Sequence, residues 1–318
     1  ARILRAQGVI AGGAAGDALG AGYEFGAAPL TGLPDMIGGG LGDFAPYQWT
    51  DDTTMAMAIL HAAHQHGRLD TLPAWNTAAQ GWLDWYESRP ADIGVHTRAV
   101  LLDTATDGGE LDAPAMRMLS HSAARHVETK RTAGNGSLMR TGPVALAHLD
   151  DPNGARDAAA VLSTLTHFDP VAAEACMLWT EAIRRAITGH GKPDWASIAV
   201  AVLHADAQAQ WLAWIREAEA HMPGDFASRN GWVVGAFQGA WSAIHHTADY
   251  VPAVQLAVLG GGDTDTVATI AGSLAGALYG LAAVPPDWRD RLHGDGGTME
   301  WAMWAARLLV TRTPGETV

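Results

Sequence analysis

Apolar residues recur at three- and four-residue spacing along most of the chain, the repeat of a single helix face. The pattern predicts helices at about 53–66, 72–88, 93–105, 137–148, 154–165, 169–188, 194–222, 231–246, 250–259, 265–283 and 298–311. Alternating β-branched runs of strand length are nearly absent, so an all-α domain is expected, with helices packed around a buried central bundle. Even SIAVAVL at 197–203 reads as helix, on its alanine content and length. Glycine and proline clusters predict loops at 26–48, 89–92, 106–114, 129–136, 150–153, 189–193, 223–230, 260–262 and 284–297. Neither a composition shift nor a fixed-period repeat divides the chain, and residues 1–318 read as one domain. Gly272, Ala275, Gly276 and Gly280 place small side chains on one helix, which permits close contact and predicts a central position for it.

Composition changes this picture by exclusion. Hydrophobic residues make up 48% of the 318, enough for a substantial core, and disorder is not expected. The net charge is −14 and the only lysines are Lys130 and Lys192, which argues against a nucleic-acid surface. A small anionic ligand remains compatible, because helix N-termini and bound cations hold phosphates without a basic patch. No apolar run approaches the ~20 residues of a membrane span, and ARILRAQGVIAGGAAGDALG fits no secretion signal well. The lone Cys176 suits a reducing compartment, so a soluble cytoplasmic protein is expected. The sequon Asn135-Gly136-Ser137 would need secretion and is set aside.

The chemistry concentrates in two acidic stretches far apart in sequence. WTDDTT at 49–54 runs into an apolar helical pattern, and GGDTDTVATIAG at 261–272 does the same. A single Thr or Asp at a helix start is most simply an N-cap. Two doubled clusters exceed that need. Brought together, their carboxylates would repel unless protonated or neutralised by a cation, and oxygen ligands without Cys or His point to Mg²⁺, Mn²⁺ or Ca²⁺. GGAAGDALGAGYEF at 12–25 adds Asp17 and Glu24. WLDWYESRPADIG at 82–94 adds Asp92, whose plainer role is a cap, beside Trp82 and Trp85, which read as core. TAGNGSLMRTGP at 132–143 combines free glycine amides, Asn135 and Ser137 with an expected helix start, suited to phosphate. His167 in STLTHFDPVAAEA reads by itself as a structural hydrogen-bonder, His61 and His64 as a solvated face, and Trp232 with the Trp-rich 288–304 segment as core. No GxGxxG follows a strand and no GK[ST] occurs, so dinucleotide-fold and P-loop readings fail.

In this order, GDALG with a following Glu, WTDDT, P-x-DIG, GNG-x-x-MR, TH and GGDTDT resemble the ADP-ribosylglycohydrolase family over about residues 8–282. The resemblance implies an all-α orthogonal bundle around two divalent cations, Mg²⁺ or Mn²⁺, and removal of ADP-ribose from a modified side chain or small molecule. By motif it assigns Thr50, Asp51, Asp52, Asp263, Asp265 and Thr266 to the metals. Glu24 matches a glutamate on a mobile segment near them, and Asp92 an aspartate near the scissile bond in arginine-specific members. Gly134, Asn135, Gly136 and Ser137 match a phosphate loop, and His167 a residue near the adenosine. Thr132-Ala133 departs from the Ser/Tyr-type residues of some members, and 284–318 carries no motif.

Arginine-linked ADP-ribose is the substrate this resemblance implies, on a protein or small molecule, with free ADP-ribose as product. Serine, O-acetyl and nucleobase linkages stay open, as do a non-catalytic ADP-ribose binder and a two-metal phosphohydrolase. Cleavage needs charge stabilisation on the sugar, a proton for the leaving group and an attacking water. Asp92 or Glu24 would handle the protons, with the acid and base roles open between them.

Overall fold

A computed structural model describes residues 1–108 and 113–312. Among the described residues every regular element is helical, and the only β pairing is isolated bridges at Gly39–Phe44, Gln48–His293 and Gly134–Trp232. In chain order the α-helices are α1 (Arg2–Gly20), α2 (Asp51–His66), α3 (Leu72–Glu87), α4 (Val95–Thr106) and α5 (Pro114–Thr129). Next come α6 (Gly142–Ala147), α7 (Pro152–Thr164), α8 (Pro170–Thr188), α9 (Trp195–Val202) and α10 (Ala205–Ala220). The last are α11 (Val233–His245), α12 (Tyr250–Leu259), α13 (Thr264–Tyr279), α14 (Pro286–Arg289) and α15 (Met299–Thr311). The all-α expectation holds, and most helix ranges agree within a few residues.

The disagreements have physical causes. Glycine content hid α1, since Gly8, Gly12, Gly16 and Gly20 read as breakers rather than as one face repeating every four residues. Polar composition hid α5, whose buried positions are only Ala115, Met118 and Ser122. The expected 194–222 helix divides where Leu203 and His204 adopt extended backbone, at a point with no Gly or Pro. The expected 137–148 helix is reduced to a 3₁₀ turn, Asn135–Ser137, followed by the short α6. Part of the predicted 106–114 loop, residues 109–112, lies outside the described residues.

The centre of the bundle is an antiparallel pair, α1 against α13. Every residue of α13 from Thr264 to Ala277 is buried, as is all of α1 from Gly8 to Gly20, so both helices are enclosed rather than amphipathic. The pair packs backbone to backbone. A Cβ on Gly8, Gly12 or Gly16 would lie 2.3, 2.5 or 2.1 Å from the carbonyl oxygen of Gly276, Gly272 or Ala268, and one on Gly20 would lie 2.4 Å from Asp265 Cα. The small-residue face predicted for α13 is therefore real, and its partner is the glycine stripe of α1. This contact brings the last turn of α1, with Asp17, to the first turn of α13, with Asp265.

Candidate metal centre and glycoside site

Three chain segments converge on this point. Thr50 caps α2, its hydroxyl accepting from the Asp52 amide. A second acid braces the same helix start from outside. Asp17 Oδ1 accepts the Thr50 amide at 2.9 Å, while Oδ2 accepts the Thr53 amide at 3.0 Å and the Thr53 hydroxyl at 2.6 Å. A carboxylate on α1 thus satisfies N–H groups that the first turn of α2 leaves free. Asp52 Oδ2 then lies between Thr50 Oγ1 at 3.2 Å and Thr266 Oγ1 at 3.3 Å, joining the two acidic motifs directly.

The second motif is held by residues that sequence reasoning gave other roles or none. Gly261 and Gly262 turn with positive φ into α13, and a Cβ at Gly262 would meet the Asn230 side chain at 2.5 Å. Asn230, inside a predicted loop, accepts the Asp263 amide and donates to the Gly261 carbonyl. Its Asn-Gly dipeptide was the only local signal. Asn135 donates to Asp263 Oδ2 at 2.7 Å and to the Asn230 carbonyl, so it orients a carboxylate of the cluster. Glu24 follows α1 at a kink, where Phe25 adopts φ +46° and its amide bonds to the Gly262 carbonyl.

Two triads result, each with ligand oxygens within 4.8 Å of one another: Asp17, Asp52 and Asp265, and Glu24, Asp263 and Asp265. Asp265 belongs to both. Asp17 enters the first triad although sequence reasoning placed only its charge there, and Glu24 enters the second although its expected role was protonic. Asp51 lies outside both triads and is partly exposed, with Asp92 and Glu24 among its charged neighbours. His61 and His64 join neither triad; His61 stacks on Trp301 at 3.8 Å.

Electrostatics make the carboxylate cluster demanding. Burial, reinforced by Asp263, Asp92 and Asp51, pushes Glu24 up to about 8. Burial with Asp92, Asp17 and Asp263 lifts Asp51 to about 8, against a pull down from the Gly94 amide. Burial lifts Asp17 to about 6 despite its bonds to Thr53 and Thr50. Asp52 and Asp265 are raised well above the carboxylate range, again chiefly by burial. None of the ion pairs among the described residues involves these acids. Asp52 Oδ1 is buried without a hydrogen-bond partner among the described residues, at a cost of ~1–3 kcal/mol or more for a charged oxygen. An all-oxygen, carboxylate-rich pocket with an unsatisfied ligand atom fits a hard divalent cation.

Asp92 stands beside this cluster. It is half-buried in the turn before α4, its Oδ1 accepts the Ile93 amide at 2.7 Å, and its charge acts on both Asp51 and Glu24. On a further side lies the Gly134–Ser137 turn, pinned by Asn135 to the Gly231 carbonyl. The expected helix start here is corrected: residues 135–137 form one 3₁₀ turn, so no long helix dipole points at a ligand. Ser137 is buried, its hydroxyl bonded to Ser163 and approached by the Cys176 thiol. His167 lies under the turn, 3.3 Å from the Cβ position of Gly134 and 3.1 Å from that of Gly136.

A family model described as ADP-ribosylglycohydrolase matches residues 1–316. The chain belongs to the ADP-ribosylglycohydrolase family. It is 29% identical to an ADP-ribosylarginine hydrolase, Tri1, of Pseudomonas putida (strain GB-1), over 91% of this chain and 74% of that protein. It is 28% identical to the ADP-ribosyl-[dinitrogen reductase] glycohydrolase of Rhodospirillum rubrum, over 91% and 90% of the two chains. A solved structure titled "ADP-ribosylglycohydrolase-related protein complex" superimposes with a TM-score of 0.75 at 29% identity, covering 97% of this chain and 98% of that one. As a member of this family the chain is a glycohydrolase enzyme acting on ADP-ribosyl compounds, and its buried acidic triads are compatible with metal binding. No helix among the described residues is long and apolar enough to cross a membrane.

Proposed function

We propose that the protein hydrolyses the N-glycosidic bond of ADP-ribosylated arginine on a protein or small molecule, releasing ADP-ribose, with two divalent cations, Mg²⁺ or Mn²⁺, in the acidic triads. The observation that carries the reading is the pair of triads sharing Asp265, with a buried unpartnered oxygen on Asp52 and Asp92 at their edge. The arginine hydrolase name of a relative with 91% coverage of this chain supports the linkage. Asp17, Asp52, Asp263, Asp265 and Glu24 would hold the cations, with Asp17 also bracing the start of α2 and Thr50 and Thr266 orienting Asp52. Bound there, the cations would supply Lewis-acid stabilisation and a lowered pKa for water. Asp92 is the residue for proton transfer at the scissile bond, because it sits on a turn of its own outside both triads.

The test is mass spectrometry of products from an arginine-ADP-ribosylated peptide, with and without chelator. Intact ADP-ribose and unmodified peptide, formed only with metal, are expected. Cleavage of serine-linked but not arginine-linked substrate would overturn the linkage. Asp92→Asn should lower kcat by about 10²–10⁴-fold, the usual reach of general acid–base catalysis, with Mn²⁺ affinity unchanged. An Asn variant as fast as the parent would remove Asp92 from the chemistry.

Cation binding should also reshape the stability–pH profile. Carboxyls with raised folded-state pKa values contribute stability that is full below their unfolded values and lost as pH rises through about 6 for Asp17 and about 8 for Glu24 and Asp51. His96, His148 and His167, lowered mainly by burial, act with the opposite sign, losing stability as pH falls. The metal-free protein should therefore melt progressively lower from pH 6 to 8.5. Saturating Mn²⁺ should flatten that limb, with a gain of roughly 5–10 °C at pH 8 and less at pH 6. Equal gains at both pH values would count against cation binding by this cluster.

A further inference from the structure

Outside the acidic cluster, the MR and TH dipeptides meet in one buried hydrogen-bond chain. Arg140 is 1% exposed and has no carboxylate partner among the described residues. Its guanidinium lies over the Trp82 ring at 3.9 Å, and Nη2 donates to the Leu162 carbonyl at 3.0 Å and to Thr166 Oγ1 at 2.7 Å. Thr166 Oγ1 is in turn 2.8 Å from His167 Nδ1. We propose that Arg140 and Thr166 are positioning residues that hold His167 as the Nε2–H tautomer, so that it donates to an oxygen of ADP-ribose seated over the Gly134–Gly136 turn. The ligand in this inference rests on the function proposed above.

The direction of the chain follows from what each group can do. A guanidinium carries five donors and no acceptor, so Thr166 can only accept from Arg140. Thr166 is fully buried, and the acceptor available to its own hydroxyl proton is His167 Nδ1. The reverse tautomer would leave that buried proton without an acceptor. The imidazole proton therefore sits on Nε2. The backbone of the same residue orders a second ring: His96 Nε2 is 2.7 Å from the Thr166 carbonyl, and the His96 ring meets the His167 ring edge-on at 4.9 Å. Burial, with His96 and Arg140 adding to it, keeps His167 well below the ordinary imidazole range and hence neutral.

His167 is 2% exposed, and its Nε2 has no hydrogen-bond partner among the described residues. That atom lies 3.3 and 3.2 Å from the Cβ positions of Gly134 and Gly136, so two glycines keep it uncovered where side chains would press on it. A donor left accessible and without a protein partner among the described residues, beneath a turn that also fixes Asp263, is suited to a ligand oxygen.

The test combines a spectroscopic and a binding readout on the full chain. Long-range ¹H–¹⁵N spectra of ¹⁵N-histidine protein should show His167 protonated at Nε2 and neutral, in Thr166→Ser as in the parent, with the Nδ1–H tautomer becoming populated in Thr166→Val. Calorimetry should give ADP-ribose binding about tenfold weaker in Thr166→Val, ~1.4 kcal/mol, and within twofold of the parent in Thr166→Ser. In a His167→Ala background, Thr166→Val should cost nothing more, because Thr166 acts through the imidazole. An Nδ1–H tautomer in the parent, or a Thr166→Val loss that persists without His167, would overturn the relay. A parent protein with the Nε2–H tautomer but no affinity for ADP-ribose would instead overturn the proposed ligand.

Discussion

Asp265→Asn should reduce hydrolysis of arginine-linked ADP-ribose by at least 10³-fold while raising the melting temperature of the metal-free protein. The two effects have one origin. Asp265 is shared by both triads, so its loss weakens both candidate cation sites, whereas Glu24→Gln touches only one. Metal-assisted charge stabilisation is worth several kcal/mol, and each 1.36 kcal/mol is tenfold in rate, which sets the scale of about 10³ or more. Without cations the same carboxylate is a liability: it is buried and repelled by Glu24, Asp52, Asp263 and Asp17. An amide of the same shape removes that repulsion. Kinetics in excess Mn²⁺, Mn²⁺ titration calorimetry and melting curves in chelator check the three parts separately. An Asn variant that keeps a tenth of the activity, or that melts below the parent in chelator, would contradict the shared-ligand account.

The acidic motifs were legible because chemistry requires particular side chains. Two doubled Asp clusters at helix starts make little sense as caps alone, and the fold does bring Asp52 to Thr266 and Asp263 beside Glu24. What sequence did not reveal was the division of labour. Asp51 and Asp52 are adjacent in sequence, yet only Asp52 enters a triad, because successive helix positions point about 100° apart. Asp17 came as an unassigned charge, since nothing local indicates that it would accept three hydrogen bonds from another helix. Asn230 sits in a turn whose partner, the Gly261–Gly262 segment, is some thirty residues away. The helix expected from residue 137 was misplaced, because the glycines read as a helix start build one 3₁₀ turn. The fold itself was legible in its helical periodicity except where polar composition blurred it, as in α5, where Leu203 and His204 broke it without Gly or Pro, or where it was written in glycine, of which α1 is the central case.

That case supplies the second large effect. Gly16→Ala, a substitution that helix propensity alone would favour by about 1 kcal/mol, should destabilise the protein and abolish cation binding. The added methyl would lie 2.1 Å from the Ala268 carbonyl oxygen and 2.6 Å from its carbon, against about 3.4 Å for ordinary contact. Both obstacles are backbone within a buried helix, so no side chain can rotate away, and the central pair must separate by about an ångström. Overpacking of this kind costs typically ~1–3 kcal/mol and more when the surroundings cannot yield. The strain falls at the site, because Asp17 is the next residue and Asp265 lies one turn from Ala268 on the opposing helix. Separation would pull the first triad apart from both sides. Gly13→Ala is the matched control: its methyl would meet Ser273 Cβ at 3.7 Å, ordinary contact, so this variant should melt at or above the parent and bind Mn²⁺ normally. Melting curves and Mn²⁺ titrations of the two variants separate the explanations. If Gly16→Ala behaved like Gly13→Ala, the backbone wedge would not be what sets the spacing of the carboxylates; if both lost stability, glycine would be needed in α1 for a reason other than contact with α13.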